Sequence, residues 1–132
     1  MYKKTWTYTD YNGITKTEDF YFNLSKVELA DMQMSSEGSL DEIIDRITKA
    51  QETPLIWKYF KKLMLAAYGE KTSDGRFVKN DEILAKFQST VAFSEIAMLF
   101  ATNDKEASDF VNGILPKEVA EQKQNVVMLP LK

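Results

Sequence analysis

Residues 3–9 place Trp6 and Tyr8 on one face and Thr5, Thr7 and Thr9 on the other, in β-favouring residue types; this period of two predicts a strand. Asp10-Tyr11-Asn12-Gly13 supplies turn chemistry, because Asn-Gly adopts positive φ readily. From Ile14 to Phe22 the extended pattern resumes, with Phe20 and Phe22 on the same side. Residues 1–22 therefore read as a β-hairpin. Two strands alone are marginal in water, so the aromatic face of this hairpin needs a second layer from the rest of the chain.

A helical period then takes over. Ser25-Lys26-Val27-Glu28 has capping-box spacing and predicts a short helix over 26–34. Ser39-Leu40-Asp41-Glu42 repeats the box ahead of Leu40, Ile43, Ile44 and Ile47, an i, i+3, i+4, i+7 stripe that predicts a second helix ending near Glu52. Thr53-Pro54 is a cap followed by proline at the first helical position, opening a third helix that carries Leu55, Ile56, Tyr59, Phe60, Leu63, Met64 and Ala67 inward and stops at Gly69. The stretch 70–80 reads as irregular, with Ser73-Asp74-Gly75 as a turn and Arg76-Phe77-Val78 as a short extended return. Asn80-Asp81-Glu82, then Ser89 or Thr90, then Thr102-Asn103-Asp104 open three more helices; Gly113 closes the last, ahead of Pro116. The expected fold is α+β, mainly α: an N-terminal β-hairpin packed on a bundle of about six helices. One globular domain spans 1–116 (hairpin 1–22, helical part 25–116), and 117–132 is a C-terminal tail with room for flexibility.

Composition narrows the chemistry. The 132 residues carry 17 Lys+Arg against 20 Asp+Glu, a formal charge of −3, and contain neither Cys nor His. Disulfide frameworks, Cys/His zinc sites, cysteine nucleophiles and histidine acid/base schemes are excluded by residue type. The 44% apolar residues are ample for one packed core. The start of the chain, Met1-Tyr2-Lys3-Lys4 followed by alternating Thr and aromatic residues, lacks the apolar stretch of a signal peptide. No uninterrupted apolar run approaches the ~20 residues that cross a bilayer. A pI near 5.1 argues against nucleic acid as the main partner.

Candidate chemistry is sparse. Asp41, Glu42 and Asp45 form the best carboxylate cluster, but acidic residues in a first helical turn already offset the macrodipole. Lys71 to Arg76 lacks the glycines of a phosphate loop and the alternating acids of a calcium loop, and reads as a tight turn. Ser25, Ser39 and Ser94 have no base to activate them. Lys3, Lys4 and Lys16 beside Trp6, Tyr8 and Tyr11 resemble a stacking platform, though packing of the hairpin accounts for the aromatics. The reading assigns no catalytic residue, no metal ligand and no cofactor.

The third helix holds more large apolar residues than one core stripe requires, which calls for a second buried contact, either the hairpin or another chain. Candidate partner-binding residues are Trp57, Phe60 and Tyr68 there, Phe77 in the 70–80 stretch, and Val127 and Leu129 in the tail, where Val126 to Leu131 show no helical period.

The ordered segments resemble the small tail assembly chaperones of long-tailed (siphovirus-type) phages and prophages of Gram-positive bacteria. The resemblance rests on Tyr2 to Thr5, Tyr8 to Gly13 and Glu18 to Leu29; on Ala67-Tyr68-Gly69-Glu70-Lys71 and Asp74-Gly75-Arg76-Phe77-Val78-Lys79; and on Ala92 to Glu95 and Phe110-Val111-Asn112-Gly113-Ile114-Leu115-Pro116. Asn80 stands where that family commonly has Ser, which keeps a helix cap. The resemblance implies a non-enzymatic protein of the host bacterial cytoplasm, absent from the mature virion. Such a protein binds the tape measure protein, keeps it soluble and assists assembly of tail tube protein, with self-association possible. A small structural tail component retained in the virion is the alternative.

Overall fold

The alternation near the N-terminus becomes a long hairpin in the computed structural model, which describes residues 1–34 and 53–116. Strands β1 (Tyr2–Thr9) and β2 (Thr15–Phe22) pair antiparallel from Tyr2↔Phe22 to Thr9↔Thr15. Tyr8, Phe20 and Phe22 are buried, while Lys3, Thr5, Thr7 and Thr9 face solvent. The solvent face is closed by cross-strand hydroxyl contacts, Thr7–Thr17 at 2.7 Å and Thr9–Thr15 at 2.9 Å. At the tip, the Asp10 carboxylate accepts from the amides of Asn12 and Ile14, both at 2.9 Å, and Gly13 takes φ 81°.

The capping box forms as its spacing predicts. Helix α1 (Lys26–Met34) starts with the Glu28 amide donating to Ser25 Oγ at 3.1 Å and the Ser25 amide donating to Glu28 Oε1 at 2.9 Å. Helix α2 (Thr53–Ala67) buries Phe60, Leu63, Met64 and Ala67, an i, i+3, i+4, i+7 stripe.

Beyond Ala67 the chain departs from the expected irregular stretch. The helix gives way at once to β3 (Tyr68–Lys71), which pairs with β2 through Tyr21↔Gly69 and Phe22↔Tyr68 and with β4 (Phe77–Val78) through Glu70↔Val78 and Lys71↔Phe77. The result is a four-stranded antiparallel sheet in the order β1-β2-β3-β4, where the sequence suggested the N-terminal hairpin and a short extended return at Arg76-Phe77-Val78 but no strand at 68–71. The Thr72–Arg76 connection is a tight turn with Gly75 at φ 87°. Gly69 is a strand residue rather than a helix stop.

Helices α3 (Asp81–Gln88), α4 (Val91–Thr102) and α5 (Asp104–Ile114) complete the described chain, capped by Asn80, Thr90 and Asn103, whose side chains accept from the amides of Ile83, Phe93 and Glu106. Gly113 lies inside α5, because the Tyr2 ring occupies the space a side chain would need: a Cβ there would stand 2.8 Å from Tyr2 Cδ1. Five helices therefore stand among the described residues, against about six expected, and the architecture is α+β, mainly α. The helix expected over 40–52, the carboxylates Asp41, Glu42 and Asp45, and the tail 117–132 lie outside the described residues.

The core is largely aromatic. Phe22 is surrounded by the rings of Tyr2, Tyr68, Phe87, Phe100 and Phe110 at centroid distances of 5.4–6.4 Å. Phe60 meets Phe100 and Phe110 at 6.0 and 5.6 Å, and Tyr68 stacks on Phe87 at 3.8 Å. Full burial of each such ring stabilises by roughly 1.5–3 kcal/mol, and edge-on or offset pairing adds about 0.5–1.5 kcal/mol per pair. Two consecutive amides after β2 tie the helices to the sheet: Asn23 donates to Ala67 O at the end of α2, and Leu24 to Ile114 O at the end of α5, at 2.8 and 2.7 Å.

Candidate functional site

Once α2 has turned its stripe of Phe60, Leu63, Met64 and Ala67 into the core, its other faces carry Trp57, Lys61 and Leu65 at i, i+4, i+8, with Lys58 and Lys62 beside them. These five residues line a shallow depression of about 700 Å³. Trp57 and Leu65 are half-buried and pack against the edge of the core; Lys58 is exposed, its ammonium 5.8 Å from the Tyr59 ring centroid. Every charged residue of α2 is a lysine, in a chain whose net charge is −3. The depression thus combines an apolar floor with cationic walls.

The expected partner-binding residues fall in different places. Phe60, 1% exposed, and Tyr68, 7% exposed, are core residues and present no surface to a partner. Phe60 belongs to the inward stripe of α2, and Tyr68 points inward from β3 to stack on Phe87, where desolvation pushes its hydroxyl up to about 12. Phe77 is half-buried against Gly69, with the Lys79 ammonium 5.6 Å from its ring centroid. Val127 and Leu129 lie outside the described residues. Trp57 alone of the four described candidates lines the depression on α2. Sequence reasoning passed over Lys58, Lys61, Lys62 and Leu65. Their signal was a helix with three lysines and no acid in an acidic chain.

A second, smaller cleft of about 270 Å³ opens where β2 and β3 diverge, lined by Glu18, Asp19, Tyr21, Glu70 and Lys71 among others. Its groups are engaged structurally. Glu18 accepts from the Tyr8 hydroxyl, Asp19 accepts from Thr5 Oγ1 at 2.6 Å, and the Lys71 ammonium sits 4.7 Å from the Tyr21 ring centroid. Among the described residues, no group of three or more Asp, Glu, His or Cys is placed to hold a metal ion.

The stacking platform considered for the hairpin is dismantled by its own contacts. Tyr8 is buried, Trp6 Nε1 donates to Glu95 Oε1 at 2.9 Å, Lys4 meets both oxygens of Glu106 at 2.8 and 2.9 Å, and Lys16 pairs with Asp10 at 3.1 Å. Ser25 caps α1 and Ser94 is exposed on α4. No single helix among the described residues is long and apolar enough to cross a membrane.

The segments 67–71 and 74–79, which carried much of the resemblance, run from the last residue of α2 through β3, the turn and β4 to the residue after it. No curated protein and no solved structure matches the chain. A family model described as phage tail assembly chaperone matches residues 1–127, and the chain belongs to that family.

Proposed function

We propose that this tail assembly chaperone binds the tape measure protein, keeps its long apolar helices soluble and assists the addition of tail tube protein, in the cytoplasm of an infected or lysogenic Gram-positive host. The reading is non-enzymatic: the chain works by covering surface, and it leaves before the virion is complete. The observation that supports it best is the Trp57–Leu65 depression, an apolar surface that remains on α2 after the core is filled. An amphipathic helix seats its apolar face in a groove of this kind through residues at i, i+3, i+4 spacing. Phe77 at the β3–β4 edge and the tail residues Val127 and Leu129 are further candidate contacts, and self-association remains compatible with all of them.

The test is co-expression with the tape measure protein of the same phage or prophage. Co-purification and a gain in tape measure solubility are expected; neither occurring overturns the reading. Mass spectrometry of purified particles separates a chaperone, absent from the virion, from a structural subunit present in many copies.

A further inference from the structure

The lysines around Trp57 specify more than a greasy partner. Lys61 stands between Trp57 and Leu65 on one helical row, and Lys58 flanks Trp57 one residue along, so any occupant of the depression passes beside both ammonium groups. An apolar helix with a basic rim would bring like charges together there and be rejected, while one with an acidic rim is drawn in. The depression is short, contributed by two turns of one helix, and its floor is apolar. A nucleic acid strand wants the reverse, a continuous basic track with exposed rings for stacking.

We infer that the Trp57–Leu65 face of α2 takes an acidic amphipathic helix, its apolar residues against Trp57 and Leu65 and its carboxylates against Lys58 and Lys61. This rests on the chaperone reading and names the chemistry of the partner's face. The lysines that flank the apolar floor point to a helix of another polypeptide, and coverage by the chain's own acidic stretch around Asp41, Glu42 and Asp45 is an outcome of the test.

The experiment uses the full chain and two designed helical peptides with the same leucine stripe, one rimmed with Glu and one with Lys, monitored by fluorescence anisotropy. The Glu-rimmed peptide is expected to bind and to weaken as salt is raised from 0.05 to about 0.5 M, where screening shortens to a few ångströms. Lys58→Glu with Lys61→Glu is expected to weaken it about tenfold or more and to favour the Lys-rimmed peptide instead. Lys58→Gln with Lys61→Gln is expected to fall between, and decides the matter if the reversed variant fails to fold. No binding by the wild-type chain, as expected if its own acidic stretch covers the face, overturns the inference. So does equal binding of the two peptides, indifference to the substitutions, or equal binding of single-stranded DNA. If the tape measure still co-purifies with the doubly reversed chain, this inference falls and the chaperone reading stands. If the tape measure fails to co-purify with the wild type, the chaperone reading falls, and the peptides alone decide the chemistry of the face.

Discussion

Phe77 lies over Gly69 so closely that a Cβ on residue 69 would stand 2.8 Å from its ring and 2.9 Å from the Val78 carbonyl oxygen. The contact locks β3 to β4 and fixes the direction in which the chain leaves α2. It also gives a physical reason for a glycine with an aromatic residue eight positions later.

Gly69→Ala should therefore destabilise by about 1–3 kcal/mol, the usual range for forcing atoms into a filled site. Urea denaturation monitored by far-ultraviolet circular dichroism measures it. Combining Gly69→Ala with Phe77→Ala should recover part of the loss, because the ring that clashes is gone; a purely additive double variant would show that the contact is not the cause.

Lys79 holds three acceptors at once: Asn23 O at 2.7 Å, Glu28 Oε2 at 2.6 Å and Ala66 O at 2.9 Å. Lys79→Met leaves a half-buried carboxylate and two carbonyls without their donor. Since both charged side chains retain some solvent contact, a loss of about 1–3 kcal/mol is expected rather than the larger cost of a fully buried pair. A double-mutant cycle with Glu28→Gln should show coupling, which would be absent if Lys79 acted only through its carbonyl contacts.

The alkaline limb of stability should be set by tyrosines. Burial pushes the hydroxyls of Tyr2 and Tyr68 up to about 12, and desolvation together with the Glu18 hydrogen bond does the same to Tyr8. In the unfolded chain a tyrosine ionises near pH 10, so above that pH the folded state holds protons the unfolded state has released, and stability falls as pH rises from about 10 toward 12. Urea midpoints at pH 9, 10.5 and 11.5 should decline in that order, with tyrosinate absorbance at 295 nm rising alongside unfolding. A flat profile across this window would remove the linkage.

Core and surface roles on α2 should separate cleanly. Phe60→Ala empties a fully buried position and should cost about 3–5 kcal/mol, lowering the unfolding midpoint whatever happens to binding. Trp57→Ala should change stability by less, since Trp57 is half-buried, yet reduce the yield of soluble tape measure in co-expression. Loss of solubilisation with Phe60→Ala alone would place the binding surface elsewhere.

Much of the fold was legible because its signals are local. The capping box at Ser25, the caps at Asn80, Thr90 and Asn103, and the turns at Gly13 and Gly75 each require only neighbours in sequence. Strand β3 was not legible. Tyr68-Gly69-Glu70-Lys71 has neither alternation nor β-branched residues, and it is a strand because β2 and β4 pair with it. Gly69 and Gly113 both read as helix stops, yet each is dictated by an aromatic ring distant in sequence or across a turn, Phe77 and Tyr2. The surplus of apolar residues on α2 is real, but α4 and α5 absorb Phe60 while β3 carries Tyr68 inward against Phe22, which no count along one helix reveals. The three lysines and absent acids of α2 were a local signal of the remaining surface that a count of apolar residues passed over.

The amide of Leu24 closes α5 by donating to Ile114 O, and Phe110, Val111 and Ile114 are fully buried. On the ribosome, a nascent chain that has emerged only through α4 therefore lacks the ring that stacks on Phe100 and the carbonyl that anchors Leu24. The aromatic layer of the hairpin is without the part of its cover that Phe110 supplies until residues 1–114 are out, and the core closes completely only late in synthesis. A tail assembly chaperone would itself pass through a brief interval of aromatic exposure during its own synthesis.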